Sequence, residues 1–257
     1  MKHIVMFSGG ITSWYAAKRV IEREGKENTI ALFCDTLIED IDLYRFLDDA
    51  QQNLDIELIR IADGRTPFQV FKDVGFMGNS RIDPCSRVLK RELADKWLAK
   101  NYTPETVIVY VGIDWSEIHR FDRLEKRKLP WIYKAPLCDA PRYDKQQVIE
   151  MAQVEGLKIP QLYGYGFPHN NCGGFCIRSG QAQFKRLYDS FPDRYIDFEN
   201  EEQSVFEAIG KEHPFIRKTV NGTLEYLSLK EFRLEFLEGS KQCDLFDWGG
   251  CGCFSET

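Results

Sequence analysis

No apolar run in this chain approaches the roughly 20 residues that a membrane-spanning helix requires; the longest, Val107–Val111 with its flanks, has the length of a strand. No basic and apolar leader precedes the first patterned residues, because Met1 passes directly into an apolar strand and a glycine loop. A cytoplasmic protein without a membrane partner is therefore expected. Positive charge is not in surplus: 34 Lys and Arg face 40 Asp and Glu, a formal net charge of −6. That balance argues against a protein that coats nucleic acid through charge alone. Internal repeats and low-complexity linkers are absent, and after about residue 145 no strand pattern as strong as those of the first half returns.

What is present is core-forming material. The 257 residues are 43% hydrophobic and 13% aromatic, enough for one large α/β domain with an appendage or for two modest domains. Strand patterns at 3–7, 29–34, 56–62, 107–113 and near 131–135 alternate with helical patterns at 12–24, about 40–53, about 67–74 and 86–100. Such alternation predicts a parallel sheet wrapped by helices. Further helices are expected at 145–155, 179–190, about 193–209 and 228–237, so the chain divides into an α/β part at 1–150 and a helical, cysteine-rich part at 151–257. Ligands of parallel α/β sheets lie beyond the carboxyl ends of the strands. Three polar features fall there and are expected to share a cleft: Ser8-Gly9-Gly10, Asp35-Thr36, and Gly112-Ile113-Asp114.

The first of these is built for an anion. The first turn of a helix leaves amides unpaired and carries the positive end of the helix dipole. Gly9 and Gly10 let a phosphate approach the backbone and permit positive φ, and the hydroxyls of Ser8, Thr12 and Ser13 add donors. The plainer alternative is a glycine turn with a Ser or Thr as helix cap. Trp14 and Tyr15 are expected to pack the first helix on the sheet.

Together with "DPCSRVLKRELADKWL" at 83–98, "GIDWSEIHRFDRL" at 112–124 and "HNNCGGFCIRSGQAQFKRL" at 169–187, the Ser8–Ser13 loop resembles the phosphoadenylyl sulfate reductase-like branch of the PP-loop ATP pyrophosphatases. That branch includes phage-type members and the sulfurtransferase of DNA phosphorothioation. The resemblance spans roughly residues 3 to 190 and implies an adenine nucleotide α-hydrolase-like fold. It further implies ATP and Mg2+ as cofactors, with the loop gripping pyrophosphate while the α-phosphate is attacked, and a sulfur-donor protein as a partner. Two departures stand out. Thr12 occupies the place of the acid in the SGGxDS pattern of ATP-cleaving members, so a magnesium role is not carried over. The Glu-Cys-Gly-(Ile/Leu)-His ending of thiol-dependent reductases is missing, which favours ATP over a sulfonucleotide. A reductase of adenylyl or phosphoadenylyl sulfate and a non-catalytic nucleotide-binding module remain the competing readings.

Eight cysteines in a cytoplasmic chain point to metal or catalysis rather than disulfides. Cys172-x3-Cys176 and the later Cys243, Cys251 and Cys253 are flanked by or close to glycines, a spacing that lets thiolates converge on a metal. Four thiolates suit either zinc or an iron–sulfur cluster. The resemblance favours 4Fe-4S, with Cys85, Cys172 and Cys176 as ligands and Cys251 or Cys253 folding back as the fourth, which requires the tail to return to the middle of the chain. Cys34 and Cys138 read as ordinary buried thiols, and His169 as part of a turn.

Catalytic candidates are Ser8, Asp35, Lys90 and Arg120; the nucleotide-binding set comprises Ser8, Gly9, Gly10, Thr12, Ser13, Asp35, Gly112 and Asp114. Lys90, one helical turn beyond Arg87, is expected to aim at phosphates, Asp35 to hold magnesium or ribose, and Arg120 to meet the triphosphate or the second substrate. Arg120–Lys134 is a basic stripe in an acidic chain, read first as a solvated helix face. A nucleic acid or nucleobase acceptor fits the stripe, and a small metabolite fits the acidic whole.

Overall fold

In the computed structural model, the residues described are 1–78, 82–220 and 222–250. The first half runs β1 (Lys2–Met6), α1 (Ile11–Glu24), β2 (Thr29–Asp35), α2 (Ile41–Leu54), β3 (Glu57–Ala62), α3 (Pro67–Val74), a short α4 (Pro84–Ser86), a π-helical turn (Arg87–Glu92), α5 (Leu93–Asn101), β4 (Val107–Val111), α6 (Ile118–Lys128) and β5 (Ile132–Lys134). It continues with α7 (Lys145–Val154), α8 (Gln161–Gly164), α9 (Gln181–Ser190), α10 (Pro192–Ile209), β6 (Ile216–Val220), β7 (Thr223–Leu227), α11 (Leu229–Phe232) and a second π-helical turn (Arg233–Leu237).

The five strands of the first half form one parallel sheet in the order β3-β2-β1-β4-β5. Strands buried on both faces require apolar residues at consecutive positions rather than alternate ones, and β4 is buried throughout. Val5, Phe7, Ala31, Phe33 and Tyr110 face α1, α2 and α7, whereas Ile4, Met6, Leu32, Val109 and Val111 face α5 and Leu124 of α6. Trp14 is fully buried in the first of these layers, and Tyr15 is 8% exposed beside it. Helix starts follow capping chemistry: Asp40 caps α2, and Thr66 with Gln69 and Asp144 with Gln147 form reciprocal capping boxes on α3 and α7.

A third core is aromatic. Phe175 lies 5.0 Å from Phe68 and Phe198, 5.9 Å from Phe184 and 6.0 Å from Phe215, ring to ring. Each such pair adds about 0.5–1.5 kcal/mol beyond area burial. Because Phe68 and Phe71 of α3 belong to this cluster, the later helices are built onto the half that carries the parallel sheet.

Two expectations need correction. Strand structure does return after residue 145: β6 and β7 pair antiparallel. Thr223–Tyr226 are exposed and mixed in polarity, so no apolar run announces this hairpin; the Asn221-Gly222 dipeptide was the available signal. The helix expected at 86–100 is interrupted by the π-helical turn Arg87–Glu92, which changes the angular position of Lys90 relative to a regular helix. Among the described residues, no helix is long and apolar enough to cross a membrane.

Candidate functional site

The sheet order changes direction at β1, whose neighbours are β2 and β4, and the crevice at such a switch point is where parallel α/β sheets bind ligands. Met6 pairs with Val111, so the loop after β1 and the loop after β4 leave the sheet side by side. A Cβ added to Gly112 would lie 3.4 Å from Ser13 Cα, a measure of how closely the two loops pack.

A cavity of about 100 Å3 opens at this point, bordered by Ser8, Thr12, Ser13, Gly112, Glu117, Arg120, His169 and Asn171. Gly9 has φ +75, whereas Gly10 has φ −100 and ψ 163 and serves as the α1 cap without any side-chain hydrogen bond. Only the first glycine therefore requires its conformational freedom, and no Ser or Thr caps the helix. The hydroxyls are turned to other uses: Ser13 Oγ donates to Gly10 O at 2.7 Å, and Ser8 Oγ approaches Ser13 Oγ at 3.4 Å. Tyr163 Oη accepts from the Ile11 amide at 3.2 Å.

The segment 169–171 covers the loop from the far side. Asn170 is buried and donates from Nδ2 to Gly9 O at 2.8 Å, and its Oδ1 has no hydrogen-bond partner. With the Asn171 amide assigned nitrogen-inward, that group donates to Ser8 O at 3.2 Å. His169 is exposed as a residue, yet the ring's surroundings lower its pKa to about 4, through burial first and then the positive charges of Lys145 and Arg120. It is a neutral imidazole at physiological pH. Arg120 pairs with Glu117 on the same wall.

Sequence reasoning thus placed Ser8, Gly9, Gly10, Thr12, Ser13, Gly112 and Arg120 in one neighbourhood, and the structure brings them together. Three other candidates sit elsewhere. Asp35 ends β2 and accepts from the Leu37 amide at 2.8 Å and from Tyr44 Oη at 3.0 Å, so its carboxylate serves the local turn. Asp114 accepts from the amide of Ser116 at 2.8 Å and from its hydroxyl at 2.6 Å, which makes it a turn cap. Lys90 does not border this cavity; it is buried 3.9 Å from Glu39 and lines a second, smaller cavity. His169, Asn170, Asn171 and Glu117 were not anticipated, although all four lie inside motifs already singled out.

The second cavity, about 30 Å3, is lined by Cys85, Cys172 and Cys176 together with Thr36, Asp83, Lys90 and Arg178. Thr36 Oγ1 donates to Cys172 Sγ at 3.9 Å, and the Cys172 amide donates to Glu39. Arg91 and Arg178 share the buried carboxylate of Asp83 at 3.0 and 3.4 Å. Each cation beside the thiols is thus held by a buried carboxylate, Lys90 by Glu39 and the two arginines by Asp83. Among the described residues, however, no group of three or more His, Cys, Asp or Glu side chains is arranged to hold a metal ion. Cys251 and Cys253 lie outside the described residues. Cys243 packs against the aromatic core, where its thiol donates to Phe236 O at 4.0 Å, and it does not line this cavity. The tail does come back to the middle: Gly249 bridges Ser179, and the Gly250 amide donates to Arg178 O at 3.1 Å, two positions beyond Cys176. The Cys34 thiol donates to Lys90 O at 3.7 Å, and burial pushes its pKa up to about 12, so it is a strand thiol and no ready nucleophile.

No family model and no curated protein matches the sequence. Among solved structures, the chain is similar to the crystal structure of phosphoadenylyl-sulfate (PAPS) reductase from Candida auris in its phosphate complex. The TM-score is 0.45 and the identity 14%, over 65% of this chain and 79% of that one.

Proposed function

We propose that the protein is a nucleotide-binding enzyme of the PP-loop type that adenylates a substrate, using ATP and releasing pyrophosphate. The observation that carries this reading is the convergence of Ser8, Thr12, Ser13, Gly112 and Arg120 on one cavity at the switch point, against the N-terminus of α1. Such a corner favours phosphate through aligned amides and the helix dipole. In the proposed step an acceptor oxygen attacks the α-phosphate, and the bond to the bridging oxygen breaks. Pyrophosphate leaves with that electron pair, and the acceptor's proton passes to solvent. The loop grips the leaving group and Arg120 neutralises its charge. His169, uncharged, orients the reacting groups by hydrogen bonding rather than by carrying a proton. Positioning and charge neutralisation supply most of the acceleration in chemistry of this kind.

Sulfur transfer to nucleic acid is the extension we favour for the acceptor. Helix α6 runs from Arg120 in the cavity to Arg123, Arg127 and Lys128, which border a surface groove of about 380 Å3 beside Trp131. Arginines beside an aromatic ring suit a strand of phosphates and bases. Magnesium would arrive on the polyphosphate, since Glu117 is the one carboxylate lining the cavity among the described residues, and it is paired with Arg120. A 4Fe-4S cluster or a zinc ion would draw on Cys85, Cys172 and Cys176 with a ligand from the tail. The described residues do not complete such a site.

The test is anaerobic purification followed by metal analysis, a visible spectrum, titration with ATP and with phosphoadenylyl sulfate, and a pyrophosphate-release assay. Tighter ATP binding with pyrophosphate release is expected. Tighter sulfonucleotide binding with sulfite formed from a thiol donor would make the protein a reductase, and ATP binding without turnover would make it a binding module.

A further inference from the structure

Lys145 is the first residue of α7, and its ammonium lies where two features of the fold disfavour it. It is half-buried, and it sits at the positive end of a helix. What it has in return is weak. Nζ donates to the carbonyl of Pro168 and lies 4.1 Å from the centroid of the Tyr163 ring. Among the described residues, no carboxylate is within ion-pair distance of it. The adjacent Asp144 side chain is engaged in its capping box, and Lys18 on the packed helix α1 is itself paired with Glu155.

Both of its contacts lead to the phosphate corner. Tyr163 accepts from the Ile11 amide at the start of α1, and its hydroxyl stands 3.0 Å from where a Gly10 Cβ would be. Pro168 precedes His169, a wall of the cavity. A half-buried ammonium without an internal anion is a costly arrangement that an external anion relieves. We propose that Lys145 supplies the counter-charge for a polyphosphate bound at the Gly9–Ser13 corner, with Tyr163 and Pro168 fixing its distance from that corner. The ligand class is a nucleoside triphosphate or free pyrophosphate. The inference rests on the corner being a phosphate site and not on the adenylation step.

Burial lowers the pKa of this lysine to about 8, and a bound anion raises it again. Binding therefore takes up a proton near and above pH 8, and affinity declines there by as much as about tenfold per pH unit. Calorimetric titration of the full chain with ATP and with pyrophosphate at pH 7, 8 and 9, in two buffers of different ionisation enthalpy, reads both quantities. Wild type is expected to show the decline and the proton uptake. Lys145→Met is expected to bind both ligands about tenfold more weakly at pH 7 and to lose the dependence above pH 8. Lys145→Arg is expected to keep the affinity while the decline vanishes, because a guanidinium stays charged throughout; this variant decides the matter should the Met variant fail to fold. A Lys145→Met protein with wild-type affinity and pH profile, or a Lys145→Arg protein that keeps the decline, overturns the proposal, whatever happens to the melting temperature. ATP binding alone, without pyrophosphate binding, identifies the nucleotide as the source of the anion and supports the proposal through its pH profile. Binding with that profile but without pyrophosphate release sinks adenylation and leaves Lys145 in place; wild type that binds neither ligand sinks both.

Discussion

The two glycines of the loop should fail in different ways when given a side chain. Gly9 has φ +75, and a Cβ there would meet Leu43 Cγ at 2.8 Å and both Leu43 methyl carbons at 3.0 Å. A left-handed conformation costs an L-residue about 1–2 kcal/mol, and displacing a fully buried leucine costs about 1–3 kcal/mol more. Gly9→Ala should therefore lose about 2–5 kcal/mol, a fall in melting temperature of roughly 4–20 °C for a chain of this size. Gly10 has φ −100, open to any residue, and its added Cβ would meet only Tyr163 Oη at 3.0 Å and Ser8 Oγ at 3.6 Å. Losing the Ile11–Tyr163 hydrogen bond costs about 0.5–1.5 kcal/mol, against a gain of about 0.4–1 kcal/mol from a stiffer unfolded chain. Gly10→Ala should melt within a few degrees of wild type, yet place a methyl where phosphate must approach the backbone. Thermal melts paired with ATP titration separate the cases, and Gly10→Val should abolish binding without unfolding. A Gly9→Ala protein that melts like wild type, or a Gly10→Val protein that keeps its ATP affinity, would refute the reasoning.

Arg120→Met should weaken ATP and pyrophosphate binding by roughly 10–100-fold, the worth of a charge-assisted hydrogen bond of about 1.5–3 kcal/mol; unchanged affinity would remove Arg120 from the phosphate site. Glu202 is fully buried, its Oε2 accepts from the Leu229 amide at 2.8 Å and its Oε1 has no partner, and burial holds its pKa well above the carboxylate range. Between the ordinary and the raised value the folded chain holds a proton that the unfolded chain has lost, so stability falls as pH rises through that window. Glu202→Gln should consequently gain in melting temperature over wild type as the pH goes from 5 to 8, and a pH-independent difference would assign the titration to another group. Metal content after anaerobic purification should fall in Cys176→Ala and in a chain lacking residues 243–257, and hold in Cys138→Ala; a metal-free wild type would withdraw the cluster.

The sheet could be read from the sequence because doubly buried strands must be apolar at consecutive positions and each ends at a turn signal, as Ile4–Met6 does at Ser8-Gly9-Gly10. The near wall of the cavity followed, since Ser8, Thr12, Ser13 and Gly112 lie where such strands end. Its far wall did not: His169-Asn170-Asn171 has the composition of a turn, and nothing local tells that Asn170 reaches Gly9. Lys90 was misjudged for a different reason. A regular helix puts it one turn past Arg87, but the π-helical register from Arg87 to Glu92 shifts that relation, and the ammonium ends beside Glu39 and the thiols. Asp35 and Asp114 were sound as positions at strand ends, but their carboxylates are consumed by nearby donors.

The bond from Asn170 to Gly9 O also orders events during synthesis. The Gly9 carbonyl is synthesised 161 residues before the side chain that fastens it. At about 5–20 residues per second, the interval is roughly 8–30 s. During that time the β1–α1 corner exists without its latch, and the Gly9 carbonyl that Asn170 will hold is left to water. A nascent chain halted before residue 169 would accordingly hold an unfinished grip, and release of the following few residues would close it.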